Sequence, residues 1–357
     1  MTSTQVRPPV TPPGIRTGFT ASRRDDAVAV LLGAALIGGV LTDAWAHSNL
    51  LTPDSGFFTP WHALLYSGFA GSAAWTWWLA FRRRHDQPEW WRTAWPAGYR
   101  LGAAASLLFA VGGALDMLWH TIFGVELSLE AGLSPSHLII ATAGTLLVTS
   151  PLRSWWASGD GGLRTATGIA SAALGTVFAT VVLSGMIGVS TIAPTLFYDP
   201  ARGEAAVRTP AAQGVQSYLI GTVFLVIPLL LMLRRRTAPG AATAVVGAIG
   251  LFQLIQHEFP MPVTAAIVAM TVGAAIADAV VWWLDQRRGI DAPGRLPIAA
   301  AVFAAAIWSG HLIGLHLAAG VRWPVELWAG TVVITAVLSA LIGLLAAGVR
   351  PTPPLPG

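Results

Sequence analysis

Two kinds of side chain are missing from this 357-residue sequence, and charge of either sign is scarce. All 21 basic residues are arginine, so Schiff-base chemistry and a Walker-type phosphate site, which both need lysine, are excluded. The lack of cysteine excludes disulfides, thiolate nucleophiles, cysteine-ligated zinc and iron–sulfur clusters. Charged residues make up 11% of the chain, against about 25% in average proteins, and 54% of the residues are hydrophobic. This composition predicts an integral membrane protein in a lipid bilayer.

Long apolar stretches recur along most of the chain, and roughly 20 helical residues are enough to cross a bilayer. The sequence therefore predicts an all-α, polytopic bundle of about ten transmembrane helices in a domain at 26–349. The Pro-rich segments 1–25 and 350–357 are expected to be tails, and 1–25 to be disordered because it has no apolar run. The ten helices are expected at about 27–46, 58–81, 98–121, 135–151, 165–188, 216–233, 240–258, 262–284, 296–318 and 325–348.

The positions of the arginines predict the orientation of this bundle, because cytoplasmic connections carry an excess of basic residues. On a ten-helix path most arginines fall on one side, and only Arg202, Arg208 and Arg322 fall on the other. We therefore expect both tails in the cytoplasm and the chain in the cytoplasmic (inner) membrane. The arginines form short runs and the net charge is only +4, so no nucleic-acid partner is expected.

Histidines are concentrated on the side that has few arginines. Only His85 lies in a predicted cytoplasmic connection. The other seven fall at or near the outer helix ends: His47, His62, His120, His137, His257, His311 and His316. Any chemistry of these histidines is therefore expected to face the extracytoplasmic side.

Four of these histidines belong to a pattern that occurs twice: Asp-x3-His, a connection, and then [Ser/Thr]-Pro-x-His. The first copy contains Asp43, His47 and His62, and the second contains Asp116, His120 and His137. A glycine pair precedes each aspartate, at 38–39 and 112–113. The pattern predicts a duplicated two-helix hairpin within 27–151.

The spacing within each copy predicts a metal site. Residues i and i+4 of a helix are about 40° apart, so each Asp-x3-His pair projects from one face. Thr59 and Ser134 are natural helix caps before a proline at the first helical position, which places His62 and His137 in a first turn at the same depth. Two imidazoles and one carboxylate suit transition metal ions such as Cu, Fe, Zn or Mn. Two mononuclear sites and one dinuclear site remain open.

Other polar residues at the outer ends are further candidates for this centre. His257 and His311 are candidate metal ligands, although each is also compatible with an ordinary interfacial histidine. The candidate general bases are Glu126, Glu130 and Glu258.

The Asp-x3-His…His element resembles the metal-site motif of the C subunit of the particulate methane and ammonia monooxygenases. In that family Asp-x3-His in one membrane helix is joined by a later His after a connection. The resemblance covers about 20 residues of each copy and implies a copper-type site at Asp43, His47 and His62, or at Asp116, His120 and His137. The gaps of fourteen and sixteen residues exceed the family's twelve, and the duplicated motif departs from its architecture.

These observations predict a metal-dependent membrane enzyme that oxidises or hydrolyses a small or lipid-soluble substrate. A transition-metal permease or another metal-handling membrane protein is the first alternative. A haem-binding electron carrier with facing histidines is the second. The sequence leaves the reaction, the substrate, the metal and the oligomeric state open.

Overall fold

The computed structural model describes residues 19–50, 56–126, 129–158, 162–199, 201, 205–234 and 238–348, and these residues contain α-helices and no β-strand. The all-α expectation is therefore confirmed. Residues 1–18 and 350–357 of the predicted tails lie outside the described residues, and the last three residues of the predicted tail 1–25 begin the first helix. The α-helices of the described part are α1 Arg23–Asn49, α2 Pro60–Phe81, α3 Trp90–Thr93, α4 Arg100–Phe123, α5 Leu129–Leu133, α6 Pro135–Val148, α7 Ser150–Ser158, α8 Leu163–Val181, α9 Ala205–Leu233, α10 Ala241–Gln256, α11 Met261–Arg288, α12 Arg295–Ala319 and α13 Val325–Ala347.

Six of the described helices are long and apolar enough to cross a membrane: α1, α4, α9, α11, α12 and α13. Their outward faces carry large apolar side chains, and Leu317 and Leu345 are 78% and 75% exposed. Such faces are stable in lipid and costly in water. The chain is therefore a multi-pass membrane protein. Helices also occupy the four remaining predicted stretches, as α2, α6, α8 and α10, but the count of ten crossings stays a prediction.

Two helix starts place histidines as the sequence predicts. Thr59 caps α2, where its hydroxyl accepts from the N–H of His62 at 3.1 Å, and Pro60 occupies the first turn. Ser134 caps α6 in the same way, with its hydroxyl 3.4 Å from the N–H of His137. Each cap satisfies a backbone donor that the helix itself leaves open. Both histidines therefore lie in the first turn of their helices, as predicted.

Glycines set the register between the helices of each hairpin. A Cβ atom at Gly39 of α1 would lie 2.5 Å from the Cα of Leu65 in α2, so the two backbones touch. Gly112 of α4 lies against α6 at the corresponding place but less closely, since a Cβ there would be 3.0 Å from Cγ1 and 3.3 Å from N of Ile140. Each glycine is four residues before the aspartate of its motif, and each contact is three residues after the second histidine. Both hairpins thus use the same packing contact.

Ion pairs and hydrogen bonds close the opposite end of the first hairpin. Arg82 at the end of α2 donates to both carboxylate oxygens of Asp25, at 3.0 and 2.6 Å. The next residue, Asp26, accepts from the hydroxyl of Tyr99 at 2.8 Å and from Ser154 at 3.1 Å. Burial, followed by the nearby Asp26 carboxylate, raises the pKa of Tyr99 well above its ordinary value. These contacts tie α1, α2, α4 and α7 together.

Some predicted helix limits differ from those in the structure. The stretch predicted at 165–188 is helical only to Val181, because the chain beyond it turns to contact α9 and α10. Gly188 donates its N–H to the carbonyl of Ser217 at 2.8 Å, and Gln253 donates to the carbonyl of Ser184 at 3.1 Å. These bonds satisfy backbone groups that a longer helix would have used internally. Helix α9 begins at Ala205, earlier than the predicted 216.

Candidate metal centre

The six residues of the repeated motif meet at one end of the bundle, where α1 and α4 end and α2 and α6 begin. We call this the histidine end. The centroids of the His47 and His62 rings are 5.8 Å apart, those of His62 and His120 5.9 Å, those of His120 and His137 5.9 Å, and those of His137 and His47 6.3 Å. The four imidazoles therefore form a quadrilateral that draws two rings from each hairpin.

Two overlapping groups of donor atoms in the described part of the chain are compact enough to hold a metal ion. One group consists of His47, His62 and His120, and the other consists of Asp116, His120 and His137. Within each group the candidate ligand atoms all lie within 4.8 Å of one another. The second group is the ligand set that the spacing predicts for the second hairpin, whereas the first group combines both hairpins, with His120 in the place expected for Asp43.

Backbone carbonyls orient the imidazoles. The Nδ1 atom of His47 lies 3.0 Å from the carbonyl of Asp43, and that of His62 lies 2.6 Å from the carbonyl of Phe57. The Nδ1 atom of His120 lies 3.3 Å from the carbonyl of Gly124. A carbonyl oxygen only accepts, so each Nδ1 donates and each neutral ring keeps a lone pair on Nε2. This is the tautomer in which a histidine binds metal through Nε2.

The three Nε2 atoms of His47, His62 and His120 are buried and have no hydrogen-bond partner in the part of the chain that the structure describes. The Oδ1 atom of Asp43 is also buried without a hydrogen-bond partner among the described residues, and it lies 3.5 Å from Nε2 of His62. Buried polar atoms are normally satisfied, because leaving one unpaired costs about 1–3 kcal/mol. Converging lone pairs of this kind suit a cation, and their nitrogen and oxygen chemistry fits a transition metal ion.

The fourth histidine differs from the other three. His137 points Nδ1 at the carbonyl of Ala131 and Nε2 at Oδ1 of Asp116, the latter at 3.0 Å. The same Asp116 oxygen accepts from the hydroxyl of Ser136 at 3.0 Å. In the first hairpin Trp61 stands where the second has Ser136, so Asp43 receives no such bond. The two aspartates are therefore equivalent in sequence and unequal in structure.

Glu126 is the candidate base that the structure brings to this cluster. Its Oε2 atom lies 3.5 Å from Nδ1 of His120, on the ring edge away from Nε2. Both carboxylate oxygens of Glu126 are buried without a hydrogen-bond partner in the described ranges. The position suits a carboxylate that orients His120 and increases the basicity of its ring.

The remaining sequence candidates lie elsewhere. Glu130 is exposed on α5, and His257 and Glu258 are exposed where α10 ends. His311 is fully buried between α9 and α12, where the hydroxyl of Tyr218 is 2.9 Å from Nδ1 and the carbonyl of Val189 is 3.1 Å from Nε2. Both ring nitrogens of His311 thus already have partners. The compact donor groups of the described residues include none of these side chains.

A cavity of about 150 Å³ adjoins the cluster. Its polar lining includes the two aspartates Asp43 and Asp116 and the histidines His47, His62 and His137, together with Tyr66, Gln256 and two serines. The remaining lining residues are apolar, with Leu65, Ile140 and Phe178 among them. No arginine lines it among the described residues. The cavity can therefore admit a small uncharged molecule to the side of the histidine cluster that carries His47 and His62.

Three residues of this site were not singled out in the sequence. Tyr66 lines the cavity one helical turn after His62, so the i+4 spacing from a motif histidine is a usable signal. Phe57 stacks on the ring of His62 at 4.6 Å and supplies the carbonyl for its Nδ1. Ser136 occupies the variable position of the Ser-Pro-x-His motif, where no sequence signal marked it.

No protein-family model, curated protein or solved structure matches this chain.

Proposed function

We propose that this chain is an integral membrane metalloenzyme whose transition-metal centre lies at the histidine end of the bundle. The observation that carries the proposal is the convergence of three buried, unpartnered Nε2 atoms, from His47, His62 and His120, beside the unpartnered Oδ1 of Asp43. In a membrane-embedded bundle such atoms are especially costly to leave unpaired, because lipid offers no replacement partner. A bound Cu, Fe, Zn or Mn ion would satisfy them together.

The adjoining cavity supports catalysis at this centre. A metal ion there supplies Lewis acidity or redox chemistry when bound. The chain's own residues supply a binding space whose wall is largely apolar and bears two aspartates, which favours a small uncharged or lipid-soluble substrate over an anion. Glu126 is placed to hold a proton at Nδ1 of His120. That one of Glu126, Glu130 and Glu258 acts as a general base stays a prediction from the sequence. Oxidation and hydrolysis are both compatible with this donor set.

Both alternative functions have less support. A permease needs ligands along the whole path, but Asp278, a carboxylate inside α11, is occupied by bonds to the N–H groups of Ala242 and Thr243 at 3.1 and 2.9 Å. A haem with His47 and His120 as axial ligands would have to occupy the plane between them. The ring of His62 lies 5.8 and 5.9 Å from those two rings and fills that plane.

The orientation of the centre can be tested in the native cysteine-free background. We propose that the histidine end faces the extracytoplasmic side of the cytoplasmic membrane, because arginines are concentrated at the other end. Asn49→Cys and His85→Cys place single thiols at exposed positions on opposite ends of the first hairpin. An impermeant maleimide added to intact cells should label only Asn49→Cys, and labelling of His85→Cys alone would reverse the orientation.

The metal itself is tested by elemental analysis of the detergent-purified chain, together with an optical spectrum. We expect stoichiometric Cu, Fe, Zn or Mn in the wild type and its loss in a His47→Ala/His120→Ala double variant. His85→Ala is the matched control, because this histidine is exposed at the opposite end and should leave the metal content unchanged. A folded wild type that stays metal-free after incubation with each ion would refute the proposal, and a Soret band would favour the haem alternative.

A further inference from the structure

The two copies of the Asp/His motif are not equivalent in structure, and the difference concerns which histidines have a lone pair to offer. A metal ligand must present an unshared electron pair, and a ring nitrogen that donates its proton to an acceptor has none. His47, His62 and His120 each engage Nδ1 with a carbonyl and leave Nε2 unpartnered within the described residues.

His137 has both ring nitrogens engaged. Nδ1 faces the carbonyl of Ala131, which can only accept, and Nε2 faces the carboxylate of Asp116 at 3.0 Å. Ser136 donates a further hydrogen bond to the same carboxylate oxygen at 3.0 Å. Asp116 and His137 thus satisfy each other, and Asp116 is only 2% exposed. Within the second copy, the pair formed by Asp116 and His137 is therefore complete without an ion, and only His120 keeps an unpartnered Nε2 among the described residues.

The first half lacks the corresponding bonds. Asp43 lies 3.5 Å from Nε2 of His62, too far for a good hydrogen bond, and its Oδ1 has no partner in the described part of the chain. The sequence explains the difference, because Trp61 replaces the serine that holds Asp116 in the second hairpin. An indole can donate only through its single N–H, and the structure shows no hydrogen bond from it to Oδ1 of Asp43 among the described residues.

We infer that the centre binds one metal ion, not two, with His47, His62 and His120 as its histidine ligands and with Asp43 beside them. Asp116 and His137 form a hydrogen-bonded pair that adjoins the ion without ligating it. This inference rests on the proposed function and specifies its ligand set. Two histidines at corresponding positions of the repeat, His62 and His137, therefore have different tasks. His62 binds the ion, whereas His137 holds the Asp116 carboxylate 3.5 Å from Nε2 of His120.

The experiment compares these two corresponding positions. Wild type, His62→Ala and His137→Ala are purified in detergent as full chains, loaded with Cu(II), freed of excess ion, and analysed for metal per chain and for affinity by competition with a chelator. We expect one ion in the wild type and loss of at least about 100-fold in affinity for His62→Ala. His137→Ala should keep one ion, with an affinity lowered by no more than about 10- to 100-fold, as for a residue beyond the ligands.

Electron paramagnetic resonance of the Cu(II)-loaded wild type gives an independent reading, since it counts coordinated imidazole nitrogens. Three are expected, and the count needs no variant to fold. His62→Gln and His137→Gln repeat the comparison if either alanine variant aggregates.

Each outcome has a distinct meaning. Two ions per chain, four coordinated imidazoles, or equal loss of metal in both variants would overturn the single-ion assignment and leave the metalloprotein proposal standing. A wild type that binds no ion would overturn both.

Discussion

A single methyl group at Gly39 should separate the two helices of the first hairpin. The added Cβ would lie 2.5 Å from Cα and 2.8 Å from N of Leu65, whereas ordinary contacts begin at 3.4 Å. Because the opposing atoms are backbone, no rotamer change relieves the clash, and α1 must move from α2 by about 0.9 Å locally. Overpacking of this kind typically costs about 1–3 kcal/mol.

Gly38→Ala is the matched control for Gly39→Ala. A Cβ at Gly38 meets nothing within 4 Å, and both substitutions exchange glycine for alanine inside the same helix. The gain in helix propensity, about 1 kcal/mol, is therefore common to both variants and cancels in their difference. We expect Gly39→Ala to have a free energy of unfolding about 1–3 kcal/mol lower than Gly38→Ala.

The assay is unfolding of the purified chain in mixed micelles, with metal content as a second measurement. A shift of α1 against α2 carries Asp43 and His47 away from His62, and ligand sets tolerate only about 0.5 Å of displacement. Gly39→Ala should therefore also bind metal more weakly than Gly38→Ala. Equal stabilities of the two variants, within about 0.5 kcal/mol, would refute the inferred backbone contact.

Two further predictions concern the opposite side of the bundle from the centre. Asp285→Asn should lower the free energy of unfolding by about 3 kcal/mol or more in the same assay. The reason is that Arg295 donates to both oxygens of the buried Asp285 carboxylate, at 2.5 and 2.6 Å. The control Asp291→Asn, at an exposed position, should change the free energy of unfolding little. Tyr99→Phe removes a donor to the Asp26 carboxylate and should cost about 1.5–3 kcal/mol at pH 7. Because the pKa of Tyr99 is raised in the folded chain, this advantage of the wild type is full below pH about 10 and should decline above it. An advantage that stays constant from pH 8 to 11 would contradict the prediction.

The parts of the site that follow from local spacing could be predicted from the sequence. The i, i+4 separation places Asp116 and His120 together because helix geometry alone decides it. The Thr-Pro and Ser-Pro caps likewise fix where His62 and His137 begin their helices. These features depend on a few neighbouring residues, and no knowledge of the tertiary packing is needed.

Features that depend on packing between distant segments could not be predicted in this way. In the sequence, His311 looks like the candidate ligands, since it is also a histidine near an outer helix end. In the structure its Nδ1 atom forms a hydrogen bond with the hydroxyl of Tyr218, which lies 93 positions earlier. Asp278 had no evident partner in the sequence, and the structure pairs it with the first turn of α10. The unequal bonding of Asp43 and Asp116 depends on one serine, and its effect appears only when the hairpins are folded.

If the proposed centre binds a metal ion, the carbonyls that orient the histidines give the connections at the histidine end a part in its selectivity. Phe57 and Gly124 lie outside the helices, and their carbonyl oxygens fix which nitrogen of His62 and of His120 carries the proton. The donor set is thus prepared by the peptide backbone of two connections. We expect that grafting a different connection between α1 and α2, with all six motif side chains retained, would change the tautomer of His62 and with it the ion preference of the proposed centre.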